Sequence, residues 1–183
     1  MPLTPQEQLL IEVWSAQHNV PFDTEVLEKI EIYCDLITSW SKRMNLASRG
    51  DLAHMIERHF LDSLVPLEII PQTGKLLDVG SGAGFPAIPL ALLRPDIDFM
   101  LVESTHKKVI FLKTVVGRLN LATVSIIEER LEYINPIPEY DIITVRALPR
   151  WEKFRKKIMA FLKPGGILIH YEKRGVIRQI EKS

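Results

Sequence analysis

Three glycines that follow a short apolar run could bring the backbone close to a ligand. Gly80, Gly82 and Gly84 stand in the segment LLDVGSGAGFPAIPLALL, directly after an apolar run that ends in Asp78. Glycine has no Cβ, so it leaves room for a ligand and adopts positive φ without steric cost. The G-x-G-x-G spacing departs from the G-x-G-x-x-G fingerprint, which weakens the case for a nicotinamide dinucleotide. A tight strand-to-helix turn that binds nothing is the alternative interpretation.

An acidic residue further along the chain could bind the sugar of an adenosine ligand. Glu103 ends the apolar run FMLVES, 23 residues after Gly80. An acid at the end of the second strand of such a sheet can accept hydrogen bonds from the ribose hydroxyls. Taken alone, Glu103 could be a solvated strand end. After a glycine-rich turn, it favours an adenosine ligand.

The pattern of apolar residues changes near residue 72 and predicts the elements that position these residues. Residues 1–72 read as amphipathic helices, one of them after a plausible N-cap at Asp23 and a third over DLAHMIERHFLDSLVPLEII. From residue 73, short β-rich runs alternate with helical stretches, which is the rhythm of a parallel sheet. The sequence predicts an α/β fold: a Rossmann-like, doubly wound, mostly parallel sheet (73–183) with a small N-terminal helical cap (1–72). Ligands of such sheets bind outside the carboxyl ends of the strands.

Composition narrows the class of protein. Apolar residues make up 46% and charged residues 25% of the chain, an ordinary balance for a globular domain. No apolar run is long enough to span a bilayer, and the start lacks a signal-peptide pattern, so we expect a cytoplasmic protein without membrane partners. The one cysteine, Cys34, excludes an internal disulfide and reads as a buried small hydrophobe. The sequence shows no metal-ligand cluster and no catalytic pairing among its five histidines.

Several segments resemble a known enzyme family. DVGSGAGFP, the later Glu103 and FLKPGG resemble the class I methyltransferases, which bind S-adenosylmethionine. MNLAS, ERHFLDSL, KKVIFL and VRAL add a narrower resemblance to the RsmG/GidB family of bacterial small-subunit ribosomal RNA methyltransferases, whose target is guanine N7. The resemblance runs from about Trp40 to Lys173. It implies S-adenosylmethionine as the cofactor, S-adenosylhomocysteine as its product, and no metal.

The resemblance also implies particular cofactor contacts. Carried over onto this chain, they fall at Gly80, Phe85, the pair Leu131 and Glu132, and Arg146. Glycine at position 80 allows the backbone to come close to the methionine end of the cofactor. An apolar residue after the third strand can cover the adenine of the cofactor. Gly82 and Glu103 complete the predicted cofactor set on the arguments above.

One departure concerns the end of the sheet. Members of the family usually continue past the fifth strand into further strands, whereas this sequence ends with YEKRGVIRQIEKS. We therefore expect a core that is short at its C-terminal end, either as a short form of the fold or as a truncated chain, and the far edge of the sheet stays open. Pro149 and Arg150 also stand where small residues would be expected, which bears on substrate contact.

The predicted chemistry needs no proton-transfer residue. Guanine N7 carries an unprotonated lone pair at neutral pH, so it can attack a sulfonium methyl without first losing a proton. Positioning of the reacting atoms is then the main device, and it can lower a barrier by roughly 7 to 11 kcal/mol. No catalytic residue is assigned; Arg146, at the end of the fourth strand, is proposed to orient the acceptor.

Contact with RNA requires local positive charge, because the formal net charge is zero. Arg58, Arg150 and Lys153 are the predicted RNA-binding residues, and further cations at Lys42, Arg43 and Arg49 flank MNLAS. The predicted partner is ribosomal RNA within the small subunit, bound by a monomer. Two alternatives stay open: a methyltransferase acting on a small molecule or a protein, and a non-catalytic cofactor-binding protein.

Overall fold

The structure, a computed structural model, describes residues 2–44, 46, 48–172 and 177–182, with Arg49 described by its backbone alone. Six α-helices alternate with shorter helical turns and strands along this part of the chain. The helical elements are α1 (Pro5–His18), α2 (Thr24–Ser41), α3 (Arg49–Leu52), a π-helix (Ile56–Leu61), a 3₁₀ helix (Val65–Glu68), α4 (Ala87–Leu93), α5 (His106–Leu119), a 3₁₀ helix (Leu131–Tyr133) and α6 (Trp151–Ala160).

The sheet has six strands in the order β3-β2-β1-β4-β5-β6. The strands are β1 (Gly74–Val79), β2 (Ile97–Glu103), β3 (Val124–Glu128), β4 (Tyr140–Arg146), β5 (Leu162–Tyr171) and β6 (Ile177–Glu181). Strands β1 to β5 pair in parallel, and β6 pairs antiparallel with β5. The order reverses between β1 and β4, which makes their carboxyl ends the topological switch point. The predicted doubly wound α/β class is confirmed.

A sixth strand continues the sheet beyond β5, whereas the expectation of a short C-terminal end stays a prediction. Strand β6 covers the far side of β5 from Ile177 to Glu181. Its sequence, IRQIE, holds only two apolar residues and is mostly exposed, so it lacks the apolar run by which the other strands were found. Residues 173–176, which precede it, lie outside the described residues.

The third predicted helix is wrong as a single element. The segment from Asp51 to Ile70 is divided among the end of α3, the π-helix and the first 3₁₀ helix. Pro66 has no backbone N–H to donate, which favours a break before it. In addition, the carbonyl groups of Arg58 and His59 accept hydrogen bonds from Arg146, a residue far along the chain.

The starts of the first two helices follow local rules of capping. Thr4 accepts a hydrogen bond from Glu7 N while the Glu7 carboxylate accepts one from Thr4 N, which forms a capping box. Asp23 Oδ1 accepts a hydrogen bond from Val26 N at 2.8 Å. The predicted N-cap at Asp23 is therefore confirmed.

Apolar side chains pack on both faces of the sheet. On one face a continuous cluster joins the N-terminal helices to α4, α5 and the strands, with Tyr33, Phe60 and Phe111 fully buried in it. On the opposite face α6 packs through Ile158 against β1, β4 and β5. Cys34 lies partly buried against the first cluster, and burial raises the pKa of its thiol to about 12. Residues 1–72 therefore share a core with the sheet, and their description as a cap stays a prediction.

Among the residues that the structure describes, no helix combines the length and apolar character needed to cross a membrane.

Candidate active site

A cleft of about 430 Å³ opens at the carboxyl ends of β1, β2 and β4. This position is the switch point of the sheet, and the volume falls within the range of small-molecule sites. The predicted residues Gly80, Glu103, Leu131 and Glu132 all line it. The remaining lining residues are Val79, Val102, Ser104, Thr105, Lys108, Glu129, Arg130, Ala147, Leu148, Pro149 and Phe154.

The glycine turn has the conformation that its sequence predicts. Gly80, Gly82 and Gly84 adopt φ values of +77°, +56° and +95°. A Cβ on Gly80 would lie 3.1 Å from Leu148 Cδ1, on a wall of the cleft. A Cβ on Gly84 would lie 2.6 Å from Ile88 Cγ1, so this glycine serves packing against α4. Gly80 is thus the glycine of the turn that faces the cleft.

Glu103 is held in place by the turn and by its own strand end. Its side chain is 6% exposed, and its two carboxylate oxygens accept hydrogen bonds from Gly82 N at 3.0 Å and Thr105 N at 2.7 Å. Each oxygen has a second lone-pair direction, so both can accept a further hydrogen bond. Gly82 therefore orients Glu103 and is not itself among the described residues that line the cleft. A direct cofactor contact for Gly82 stays a prediction.

The loop after β3 supplies another part of the cleft lining. Leu131 and Glu132 lie in the short 3₁₀ helix Leu131–Tyr133, and Leu131 is 7% exposed. Lys157 Nζ on α6 donates a hydrogen bond of 2.5 Å to the Glu132 carbonyl oxygen and fixes this turn. Leu131 and Glu132 therefore belong to the same cleft lining as Gly80.

Asp78, which the sequence analysis passed over, is a buried carboxylate at the end of β1. It is 1% exposed, and its Oδ1 accepts a hydrogen bond of 2.7 Å from Thr144 Oγ1. Its Oδ2 is buried and has no hydrogen-bond partner among the described residues. Burial raises the pKa of this carboxyl to about 6. The one polar residue in the run LLDV was the signal that could have identified it.

Arg146 ends β4 as expected, but its guanidinium binds the N-terminal region. Nη2 lies 2.7 Å from Asp62 Oδ2 and 2.8 Å from the Arg58 carbonyl oxygen, and Nη1 donates to Ser63 Oγ at 3.0 Å. The carbonyl oxygen of His59 accepts a further bond at 3.3 Å. Among the described residues that line the cleft, Arg146 is absent. Its predicted contacts with cofactor and acceptor stay predictions.

Phe85 also lies behind the turn, away from the described lining of the cleft. Its ring centroid lies 5.3 Å from those of Tyr33 and His59, and 5.9 Å from Arg146 Cζ. The Phe85–Pro86 peptide bond is cis. The predicted cofactor contact of Phe85 stays a prediction, and the observed contacts join the turn to the N-terminal helices.

His59 lies against the Arg146 guanidinium. Its Nδ1 lies 3.4 Å from Arg146 Nη2, and its Nε2 lies 3.4 Å from Asp51 Oδ1. An arginine can only donate, so Nδ1 accepts and the ring proton resides on Nε2. Burial, followed by the charge of Arg146, lowers the pKa of this imidazole. His59 is therefore a neutral ring whose accepting nitrogen is engaged.

The predicted RNA-binding residues are all exposed. Arg150 is the N-cap residue of α6 with φ +56°, and its carbonyl oxygen accepts a hydrogen bond of 2.9 Å from Lys153 N. Arg58 lies on the π-helix and is linked through its carbonyl to Arg146, four residues before Arg150. Lys42 and Arg43 are exposed as well, whereas the side chain of Arg49 and residues 45 and 47 of MNLAS lie outside the described residues.

Comparison with known proteins places the chain in a family. The model of the GidB family, described as rRNA small subunit methyltransferase G, matches residues 26–182. The chain belongs to this family. Ribosomal RNA small subunit methyltransferase G of Lachnoclostridium phytofermentans is 36% identical over 163 residues, 86% of this chain and 67% of that protein. The protein of the same name from Streptococcus pneumoniae R6 is 34% identical over 84% of this chain and 68% of its own length.

Solved structures share the fold. An S-adenosylmethionine-dependent methyltransferase from Aquifex aeolicus superposes with a TM-score of 0.56 at 22% identity, covering 71% of this chain and 70% of that one. Coclaurine N-methyltransferase, solved with N-methylheliamine and S-adenosylhomocysteine, gives a TM-score of 0.56 at 15% identity, over 90% of this chain and 58% of its own. At these identities the likeness concerns the fold alone.

The residues present fit S-adenosylmethionine. The Glu103 carboxylate, which lines the cleft, keeps acceptor capacity for hydroxyl groups. The bare Gly80 leaves space against Leu148 that a Cβ would occupy. Within the described ranges, no group of three or more His, Cys, Asp or Glu residues is arranged to hold a metal ion.

Proposed function

We propose that this chain transfers the methyl group of S-adenosylmethionine to N7 of a guanine in small-subunit ribosomal RNA. The observation that carries the proposal is the cleft at the switch point, which gathers Gly80, Glu103, Leu131 and Glu132. The relatives in the same family are named as ribosomal RNA small subunit methyltransferases. The protein is further proposed to act in the cytoplasm as a monomer, with residues 1–72 as a cap on the core of residues 73–183.

Different residues of the cleft would bind different parts of the cofactor. Glu103 would accept hydrogen bonds from the ribose hydroxyls, because both of its oxygens keep an acceptor direction. Leu131 would cover the adenine, and Gly80 would allow the backbone to approach the methionine end. When bound, the cofactor supplies a methyl group on an electrophilic sulfonium. The protein must then orient the cofactor and the acceptor and exclude water from the site.

The acceptor requires positioning and no base. Guanine N7 attacks through a lone pair that is already free at neutral pH. His59 agrees with this chemistry, because it is neutral and its accepting nitrogen already faces Arg146. Holding N7 in line with the methyl group accounts for roughly 7 to 11 kcal/mol of barrier lowering in well-oriented reactions.

The RNA is proposed to bind along the carboxyl edge of the sheet through Arg58, Arg150 and Lys153. Arg146 connects the elements that bear these cations, since its guanidinium holds the Arg58 carbonyl and its backbone leads to Arg150. The formal net charge of zero limits non-specific attraction to phosphate. Affinity for naked RNA is therefore expected to be modest and salt-dependent, which favours the assembled small subunit as the substrate.

Methylation of small ribosomal subunits tests the proposal directly. Subunits purified from a strain that lacks the activity are incubated with the protein and with S-adenosylmethionine labelled on the methyl group. Label should appear in the RNA and should be recovered as 7-methylguanosine after nuclease digestion and mass spectrometry. Tight cofactor binding without label in RNA, or with label in ribosomal protein, would contradict the assignment of the substrate. Absence of cofactor binding in calorimetry would contradict methyl transfer altogether.

A further inference from the structure

The formal charge of this protein is divided unevenly along the chain. Residues 1–41, which include α1 and α2, hold seven Asp and Glu residues and a single Lys or Arg, Lys29. Residues 42–183 hold 22 Lys and Arg residues and 16 Asp and Glu residues. The net charge of zero is therefore made up of −6 in residues 1–41 and +6 in residues 42–183. Such an asymmetry separates a part of the protein that attracts phosphate from a part that repels it.

A groove of about 280 Å³ lies between α1 and α2, within the acidic part of the chain. Its apolar lining residues are Leu3, Ile11, Phe22 and Leu27. Leu3 and Ile11 are buried, and the other two are partly buried against the same core. Leu3 N donates a hydrogen bond of 2.9 Å to Glu31 Oε1, which joins the segment before α1 to α2. The floor of the groove is therefore apolar and belongs to the folded core.

Three glutamates form an acidic rim above this floor. Glu12 on α1 and Glu28 on α2 are exposed, and Glu31 is half-buried. Lys29, the one lysine of this region, pairs with Glu25 at 2.7 Å, and neither of these two residues lines the groove. In the described part of the chain, no Lys or Arg forms an ion pair with a glutamate of the rim. The rim therefore presents negative charge that the protein itself does not neutralise.

The size and the charge of the groove define what it can bind. Its volume lies just below the roughly 300 to 1,000 Å³ of pockets that enclose a small molecule, and it suits a few side chains of a polypeptide. Carboxylates repel phosphate groups, which disfavours RNA as the occupant. An apolar floor below an acidic rim is complementary to a segment that presents apolar and cationic side chains together.

We propose that the groove between α1 and α2 docks a cationic, amphipathic segment of a protein of the small ribosomal subunit. The inference rests on the proposed function, which brings this chain to that particle. The groove and the cofactor cleft share no lining residue, so the docked segment would leave the cleft free. The basic part of the chain could then face RNA while the acidic helices face protein. Two linked contacts would add affinity for the particle that naked RNA cannot provide.

A double variant of the rim tests the proposal in binding experiments. Glu12→Gln/Glu28→Gln removes two exposed carboxylates and keeps the shape of the side chains, so the fold should be retained. Affinity for purified small subunits, at a fixed salt concentration, should fall by about threefold to tenfold. Affinity for the same RNA freed of protein should be unchanged or slightly higher, because two charges that repel phosphate are gone. An equal fall for both targets would contradict the docking of a protein segment.

A matched control separates the groove from the charge of the region as a whole. Glu25→Gln/Glu68→Gln makes the same change in net charge at two exposed glutamates that lie outside the groove. Its affinity for small subunits should stay within about twofold of the parent value. Parent-like binding by Glu12→Gln/Glu28→Gln, or an equal loss in the control, overturns the proposal.

A photo-cross-link identifies the occupant of the groove without a measurement of activity. Gln8, an exposed lining residue, is replaced by Cys, labelled with a benzophenone and irradiated with purified small subunits. The parent, treated in the same way, measures the background from its native Cys34. We expect the cross-linked peptide, identified by mass spectrometry, to be a Lys- or Arg-rich segment of a subunit protein. Cross-links to RNA or to a second copy of this chain, or none above background, overturn the proposal.

The same experiments distinguish this inference from the proposed function. If the parent protein methylates no RNA, the proposed function fails, while the cross-link and the variants of the rim still report on the groove. If the parent methylates RNA and the rim variant binds small subunits as the parent does, the docking proposal fails and the proposed function stands.

Discussion

The two edges of the sheet each hold an aspartate, and the surroundings of the two carboxylates differ. At the carboxyl edge, Asp78 is 1% exposed and one of its oxygens has no partner among the described residues. At the amino edge, Asp141 accepts hydrogen bonds from Lys163 Nζ at 2.7 Å and from Lys75 N at 2.8 Å. Burial raises the pKa of Asp78 to about 6, whereas the bonds to Asp141 outweigh its burial and lower its pKa. One aspartate is costly to ionise and the other is stabilised as an anion.

The difference concerns how each edge stabilises a carboxylate. Buried polar atoms are normally satisfied, so the unpaired Asp78 oxygen, behind the described lining of the cleft, makes the carboxyl edge the one that bears an electrostatic cost. The carboxyl edge also holds Ala147 and Arg150, two strained residues beside the cleft. At the amino edge, the ion pairs of Lys75 with Glu139 and of Lys163 with Asp141 meet ordinary requirements of solvation and charge.

Gly80→Val should have the largest effect on the carboxyl edge. A valine there would need φ near +77° and would place its Cβ 3.1 Å from Leu148 Cδ1. We expect affinity for S-adenosylmethionine, measured by calorimetry, to fall by more than about a hundredfold, because the backbone can no longer approach the ligand.

Gly165→Val is the matched control at the amino end of β5. Gly165 has φ +75°, nearly that of Gly80, but a Cβ there meets nothing within 4 Å. Both variants carry the same backbone strain and should lose similar thermal stability. If the two also lost cofactor affinity equally, the loss would come from strain, and the placement of the cofactor against Gly80 would be wrong.

Asp78→Asn should stabilise the protein at alkaline pH. The folded-state pKa of about 6 lies above the ordinary aspartate pKa of 3.8, so ionisation of the folded protein above pH 6 carries a penalty of about 3 kcal/mol. The amide avoids this penalty, so its gain over the parent is full at pH 8 and disappears as the pH falls from about 6 to 4. Urea denaturation at pH 8 and pH 4 measures both limits.

Asp141→Asn should behave in the opposite sense. The pKa of Asp141 is lowered, so its carboxylate contributes stability above its unfolded pKa and loses that contribution as the pH falls through the folded value. The amide variant should be less stable than the parent at pH 8 and should approach it in acid. A destabilised Asp78→Asn at pH 8 would mean that Asp78 is compensated by the protein, and the contrast between the two edges would disappear.

What the sequence could predict follows the range of the interactions. The positive φ of the glycine turn, the cap at Asp23 and the position of Glu103 depend on neighbouring residues, so local rules were enough. The partners of Arg146 lie 83 to 88 residues away in sequence, and nothing near VRAL indicates them. In the π-helix Ile56–Leu61, the carbonyl groups of Arg58 and His59 accept hydrogen bonds from that same distant side chain. The spacing of the glycines and Glu103 in the sequence predicted where the cleft lies. The long-range hydrogen bonds of Arg146 could be found only in the folded structure.

Glu103→Ala tests the carboxyl edge with a smaller expected effect. A carboxylate that accepts hydrogen bonds from a ligand contributes roughly 1.5 to 3 kcal/mol, so cofactor affinity should fall by about tenfold to a hundredfold. Glu139→Ala removes the exposed partner of Lys75 at the amino edge and should not change the affinity. Since Gly82 N and Thr105 N also lose their acceptor in Glu103→Ala, circular dichroism should verify that the variant is folded. Unchanged affinity in a folded variant would remove Glu103 from the cofactor site.

Arg150→Ala and Lys153→Ala should give the smallest effects and concern RNA alone. Both side chains are exposed at the start of α6, so each can reach a phosphate group of the proposed RNA substrate. Each substitution should weaken binding to the small subunit a few-fold and reduce the slope of log K against log salt by about 1. Lys163→Ala, at the amino edge, is the control and should leave the slope unchanged. Cofactor affinity should be the same in all three variants, because none of these residues lines the described cleft. If Lys163→Ala lowered the slope as much as Arg150→Ala, RNA would contact both edges, and positive charge would no longer distinguish the edge that bears the cleft.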